Sequence, residues 1–208
     1  VLIPLWSYFG SPVLPFAAGA VLFALALFVE ALLAYPKVKF ESVTGALFAG
    51  IVIPICLSSI VRLQTQERGR LLVLIPILIP FIADAGAYFA GRFLGKRKMA
   101  PVLSPHKTVE GAVGGVVTGI VAMMIYGLVM QFGFKLEYRY VPAALCGLVG
   151  SLVSIVGDLA FSMIKRETGI KDYGTIFRAH GGVLDRFDSV VFAAPVVELL
   201  LLLLPVFQ

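Results

Sequence analysis

The residues best equipped for chemistry gather in one stretch near the C-terminal end. Lys165-Arg166 is followed by Lys171-Asp172, and then by His180-Gly181-Gly182-Val183-Leu184-Asp185-Arg186-Phe187-Asp188. Asp185 and Asp188 are three apart, so on a helical turn both carboxylates point one way. Two oxygen donors at that spacing suit a hard cation such as Mg²⁺, which binds through a few carboxylates plus substrate phosphates. Gly181-Gly182 lets a backbone approach a ligand closely, and the Lys and Arg side chains can neutralise phosphate oxygens. His180 could serve as a metal ligand, a phosphate donor or an acid/base. With no second histidine close by, a zinc site is disfavoured. The other histidine, His106, lies in Ser104-Pro105-His106-Lys107-Thr108, a hydroxyl-rich basic run suited to cradling phosphate but unlike a Walker A loop.

Two further acids sit inside apolar segments with helical company. Asp158 has Ser154 at −4, Ser162 at +4, and Lys165 and Arg166 at +7 and +8, all on one helix face. Asp84 repeats the arrangement with Tyr88, Gly91 and Arg92 at +4, +7 and +8. A carboxylate at mid-membrane costs roughly 2.5–3.5 kcal/mol, so two such stripes call for a shared wet cavity or a salt-bridge network. Glu30 and Glu198 stand alone in their surroundings and read as structural.

The elements that must position these groups are transmembrane helices. Of 208 residues, 60% are hydrophobic and 14% charged, and mean hydropathy is +0.99. A soluble domain carries roughly 25% charged residues, so a soluble fold and a disordered chain are both excluded. Segments near 13–35, 43–61, 71–91, 110–130, 141–163 and 187–207 reach the ~20 residues that a helix needs to cross a bilayer. The expected fold is therefore an all-α polytopic membrane protein of about six helices, with residues 1–9 as the stub of an earlier span. It is expected to be a single transmembrane catalytic domain over 1–208, with part of the N-terminal sequence missing. The loops 36–42, 92–109 and 164–186 hold 12 Lys and Arg against 5 in 62–70 and 131–139, which places the former in the cytoplasm. The net charge of +5 sits in these short loops, a placement that fits lipid headgroups or a phosphorylated substrate rather than nucleic acid. Gly111, Gly115 and Gly119, with Ala143, Gly147 and Gly150, make small faces for helix packing and leave room for a homodimer. Cys56 and Cys146 read as small buried thiols.

These motifs resemble a known family. Ser162-Met163-Ile164-Lys165-Arg166, Lys171-Asp172, His180-Gly181-Gly182 and Asp185-Arg186-Phe187-Asp188 look like the C-terminal signature of the phosphatidate cytidylyltransferases, or CDP-diacylglycerol synthases. A second stretch agrees: Asp84, Ala87-Tyr88-Phe89, Gly91-Arg92, Gly95-Lys96, Ser104-Pro105, Lys107-Thr108 and Glu110-Gly111. Members often carry Pro-Gly before His-Gly-Gly, where this chain has Arg178-Ala179, and often have more N-terminal spans.

The resemblance implies that CTP and phosphatidate are converted to CDP-diacylglycerol and pyrophosphate, at a cytoplasm-facing site in a bacterial inner (plasma) membrane. It implies that Asp158, Asp185 and Asp188 hold Mg²⁺, with K⁺ as a second cation and Asp84 as a further candidate ligand. Lys165, Arg166, Lys171 and His180 would contact phosphates, and Arg92, Ser104 and Lys107 would close the site from the other basic loop. Ser162, Gly181, Gly182 and Arg186 complete the expected substrate-binding set. Among rivals, CDP-alcohol phosphotransferases use an Asp-Gly-x-x-Ala-Arg pattern that is absent. A related lipid-alcohol kinase using CTP is harder to exclude by composition, but the full His-Gly-Gly-x-x-Asp-Arg-x-Asp match weighs against it. A cation- or proton-coupled transporter would suit Asp84 and Asp158 but has no need of the dense cluster at 165–188.

Overall fold

The computed structural model describes residues 13–174 and 181–207. The chain divides into two compact units, residues 1–69 and 70–208.

The first unit contains α1 (Val13–Leu33) and α2 (Phe40–Gln64). α2 is interrupted by a π-helical turn at Phe48–Val52, just before Pro54. Proline lacks an N–H and crowds the preceding turn, so a local widening lets the helix continue through it. Several polar side chains of α2 find partners within the helix. Ser58 and Ser59 donate to the carbonyls of Ile55 and Cys56, at 2.6 and 2.5 Å, and Arg62 donates to the Ser58 hydroxyl at 2.6 Å.

The second unit carries α3 (Leu74–Leu94), a hairpin of β1 (Lys98–Ala100) and β2 (Ser104–Thr108), then α4 (Val109–Leu128), α5 (Tyr140–Glu167) and α6 (Leu184–Leu203). α4 packs against both α3 and α5, and α5 against α6. A helix lies in each of the six expected segments, but the last, Leu184–Leu203, carries Asp185, Arg186, Asp188 and Glu198 and is not among the helices apolar enough to count as a span. Four helical stretches are long and apolar enough to cross a membrane: Phe40–Gln64, Gly69–Leu94, Val109–Gly133 and Tyr140–Glu167. Ala18–Leu33 is apolar but shorter. The architecture is all-α and membrane-like.

α4 shows why this is a lipid-facing bundle. Val113, Val117, Val121 and Ile125, at four-residue steps, are 59%, 52%, 48% and 55% exposed, while Gly111, Gly115 and Gly119 are buried. Large apolar residues outside and small ones inside is the reverse of a water-soluble helix, and suits hydrocarbon as solvent. The glycines pack against neighbouring helices of the chain. A Cβ on Gly111 or Gly115 would lie 2.8 Å from the carbonyl oxygens of Ala87 or Ala83 in α3, and one on Gly147 would lie 2.8 Å from Gly119 O and Ile120 Cα in α4.

Because those last neighbours are backbone, they cannot swing aside. Gly147→Ala is expected to destabilise the bundle by about 1–3 kcal/mol, read as a lower thermal midpoint in detergent. Gly133→Ala, with nothing within 4 Å of the added carbon, should leave the midpoint unchanged.

The expected loop 92–109 is the part that differs most. It folds into the antiparallel hairpin, pairing Lys98 with Thr108 and Ala100 with Ser104, with an irregular register between. Three- and five-residue strands, one containing Pro105, leave no alternation to read in sequence.

Candidate active site

The site is built where the hairpin, α5 and the start of α6 meet the end of α3. Several backbone contacts fix the hairpin. Thr108 caps α4 by accepting from the Gly111 amide at 3.1 Å, and the Val109 amide donates to Arg97 O at 2.9 Å. The Glu110 carboxylate accepts from the amides of Lys96 and Arg97, at 2.9 and 3.1 Å. Gly95 and Gly111 crowd this junction so tightly that a Cβ on either would lie under 3.0 Å from Thr108 side-chain atoms. With its base held in this way, β2 presents Ser104, His106 and Lys107 to a cavity of about 760 Å³.

Both polar stripes read from the sequence reach that one cavity. Asp84, Tyr88, Gly91 and Arg92 line it from α3, Asp158 and Lys165 from α5, Asp172 from the following loop, and Asp185, Arg186 and Asp188 from α6. Arg92 donates to the Tyr88 hydroxyl at 3.2 Å, two residues of the same α3 stripe.

Two lysines cross-link the acids. Lys107 pairs with Asp158, joining β2 to α5. Lys165 reaches Asp185 at 3.0 Å and Asp188 at 3.8 Å, so the three-residue spacing does turn both carboxylates toward one ammonium. Ser162 donates to Asp158 at 3.4 Å. Ser189 donates to Asp84 at 3.0 Å, tying α6 to α3, while its amide donates to Asp188 at 2.7 Å.

Asp185 has a second task. One of its oxygens takes the Lys165 ammonium, and the other accepts the amides of Tyr173 at 2.8 Å and Gly182 at 2.9 Å. Burial pushes this carboxyl upward, but the three donors outweigh it and hold it below the usual carboxylate range. Gly181 takes φ +78°, and a Cβ there would meet Asp185 Oδ2 at 3.0 Å, so a left-handed glycine is what lets the chain wrap this carboxylate. Tyr173, on the same loop, donates from its hydroxyl to Phe161 O at 3.1 Å. Its ring lies 5.4 Å from the Lys165 ammonium. Burial, with Asp185 and Asp188 adding to it, pushes the Tyr173 phenol up to about 12.

The cavity therefore gathers Asp84, Arg92, Ser104, Lys107, Asp158, Lys165, Asp185, Arg186 and Asp188 from the expected set. Ser162, Gly181 and Gly182 act one step back, through hydrogen bonds or backbone shape. Lys171 and Arg166 are exposed and do not line the cavity; Arg166 donates to Leu103 O at 3.4 Å, against the hairpin tip. His180 lies outside the described residues. Ser154 is fully buried and does not line the cavity, with no hydrogen-bond partner for its hydroxyl among the described residues. Sequence reasoning missed Tyr173 and Ser189. An aromatic at the membrane edge and a serine after an aspartate are too common to signal a role, and their contacts exist only across elements.

The acid set is all oxygen, which suits a hard cation. Among the described residues, no group of three or more His, Cys, Asp or Glu comes together as a ready metal cage. Yet Asp84, Asp158 and Asp188 lie near enough to feel one another's charge. A cation that keeps some waters and takes its remaining ligands from phosphate would fit such a set and relieve that repulsion.

Comparison with known sequences decides the family. Residues 1–204 match the sequence profile of the cytidylyltransferase family. The chain belongs to that family. It is 38% identical over 139 residues to the phosphatidate cytidylyltransferase of Staphylococcus saprophyticus, covering 67% of this chain and 52% of that protein. With the phosphatidate cytidylyltransferase of Bacillus subtilis it shares 38% over 165 residues, 79% of this chain and 60% of the relative. The Haemophilus influenzae protein of the same name is 35% identical over 173 residues, 78% and 60% of the two chains. The chain thus spans a little over half the length of these relatives. Apart from Ala112 and Ile155, the residues that line the cavity fall within 84–111 and 158–188, the two stretches that resemble the family.

Proposed function

We propose that this chain carries the catalytic part of a phosphatidate cytidylyltransferase, joining CTP and phosphatidate into CDP-diacylglycerol and releasing pyrophosphate. The single observation that carries the reading is the convergence of Lys107, Lys165 and three mutually repelling aspartates from separate elements into one cavity of a membrane-embedded bundle. Family membership and the names of the relatives support the same choice of substrates.

In this reaction an oxygen of the phosphatidate phosphate attacks the α-phosphorus of CTP. The new P–O bond forms as the bond from the α-phosphorus to the bridging oxygen of pyrophosphate breaks. Two polyanions must come together, so the chief task is electrostatic. Lys107, Lys165, Arg92 and Arg186 supply positive charge around the cavity. Lys107 and Lys165 rest on aspartates in the present arrangement and can exchange those partners for phosphate oxygens. Asp84, Asp158 and Asp188 are the residues that would hold Mg²⁺, with K⁺ as a second cation in the same oxygen-rich set; Asp185 would join them only while keeping its loop contacts. When bound, the metal would screen phosphate charge and favour the pyrophosphate leaving group. Little acid/base chemistry is required, because positioning does most of the work. The cavity is assigned to the cytoplasmic side of a bacterial inner membrane, on the balance of Lys and Arg in the loops.

The test is CDP-lipid and pyrophosphate formation by purified protein in detergent or nanodiscs, given CTP, phosphatidate and Mg²⁺. Metal-dependent turnover, lost on adding EDTA and regained with excess Mg²⁺, is expected. Turnover that survives chelation would remove the metal from the reading. A folded protein of full natural length that binds neither CTP nor phosphatidate would overturn the function.

A further inference from the structure

We propose that the β1–β2 hairpin is also a membrane-surface anchor, whose basic run Lys96–Lys98 rests on anionic lipid headgroups and whose apolar tip enters the lipid–water boundary. The sequence along it is graded. Phe93 and Leu94 end α3 at 76% and 65% exposed, which suits hydrocarbon contact at the last turn of a span. Lys96, Arg97 and Lys98 follow directly and are all exposed. Next comes Met99-Ala100-Pro101-Val102-Leu103, five apolar residues at a hairpin turn, with Val102 88% exposed.

A lone exposed valine needs no explanation. An apolar tip joined to three consecutive cations immediately after a span does, because that order matches the depth profile of a bilayer surface. Charge complementarity selects the occupant. Clustered Lys and Arg beside a span attract the anionic leaflet, and the attraction fades within a Debye length. Among the described residues, the carboxylate hydrogen-bonded to this run is that of Glu110. It is engaged by the Lys96 and Arg97 amides, and one carboxylate against three cations leaves the run positively charged.

The consequence reaches the cavity. β2 carries Ser104, His106 and Lys107 into it, and the tip is held to α5 where Arg166 donates to Leu103 O. A hairpin seated on headgroups would therefore hold the cavity's β2 wall at a depth set by the lipid surface. This inference rests on the membrane fold and on no particular reaction.

The test places an environment-sensitive fluorophore at Val102→Cys, in the whole chain with Cys56→Ala; Cys146 is fully buried. The protein is inserted in nanodiscs of phosphatidylcholine alone or with added phosphatidylglycerol. Emission is expected to shift to the blue when phosphatidylglycerol is present. The shift should reverse at 1 M salt, where the Debye length is about 3 Å, and disappear in Lys96→Gln/Arg97→Gln/Lys98→Gln. These three side chains are exposed, and an unchanged thermal midpoint would verify that the fold survives. Identical emission in both nanodiscs overturns the proposal. A blue shift that resists both salt and the triple substitution overturns its electrostatic basis. The readout is independent of turnover, so it separates from the outcome of the enzymatic assay.

Discussion

Lys107→Met is expected to lower CDP-lipid formation by roughly 10²–10³-fold, the scale seen when one preorganised donor is removed from a charge-stabilising site. Two effects combine. The Lys107–Asp158 pair is the side-chain bridge from β2 to α5, so its loss unhooks the hairpin wall from the cavity. It also leaves Asp158 facing Asp84 and Asp188 without its cation. Breaking a buried pair by removing one partner costs several kcal/mol. Here both side chains are about a quarter exposed, at 25% and 24%, and solvent screening reduces the cost to about 1–3 kcal/mol. The double variant Lys107→Met/Asp158→Asn separates structure from chemistry. It should recover most of the thermal midpoint, because no unpaired charge remains, while turnover stays lost. Turnover that returns together with stability would make the pair a structural strut only.

Asp185→Asn carries the second large effect, and it is mainly a loss of order. The carboxylate accepts one ammonium and two backbone amides, and its side chain is 8% exposed. An amide keeps one acceptor oxygen and offers an NH₂ where acceptance is required. With charge-assisted bonds at about 1.5–3 kcal/mol each, a loss of about 3 kcal/mol is expected, together with faster amide exchange around Tyr173 and Gly182. Lys165 would keep only the longer contact to Asp188, so turnover should fall as well.

The pH dependence of the same group has a definite sign. The folded carboxyl lies below its unfolded value near 3.8, so its contribution is fully present above that value. It is lost as the pH falls through the folded value, and stability falls with acid. Hydrogen exchange and thermal midpoints for wild type and Asp185→Asn, followed from neutral pH down to about 3, would show this. The wild-type advantage should shrink at the acid end. An advantage independent of pH would remove Asp185 as the charged anchor.

Much of the membrane fold was legible in the residues. Continuous apolar runs placed the helices because hydrocarbon tolerates little else as a spanning element. The glycine spacing of α4 announced close packing, though not its partners: Gly111 and Gly115 face α3, whereas Gly119 meets α5. Spacing defines a face, but only the crossing of helices decides who occupies it. The stripe 84–88–91–92 and the pair 185–188 were likewise readable, since periodicity within one helix is local geometry.

What joins them was not readable. The meeting of Asp84 with Ser189 and of Lys107 with Asp158 spans 105 and 51 residues of chain, and nothing local encodes such separations. In sequence the hairpin reads as a loop, because its strands are short and one of them contains Pro105. Its order comes from caps and amide contacts to Thr108 and Glu110, not from an alternating pattern. The sequence by itself determined that this is a helical membrane protein and which acids and cations are candidates for its chemistry, because hydrophobicity and motif spacing are one-dimensional properties. Only the tertiary structure decided that the two polar stripes share one cavity, that the hairpin supplies one of its cations, and that Asp185 anchors a loop. Those are juxtapositions of distant segments, and they come into being only when the helices pack.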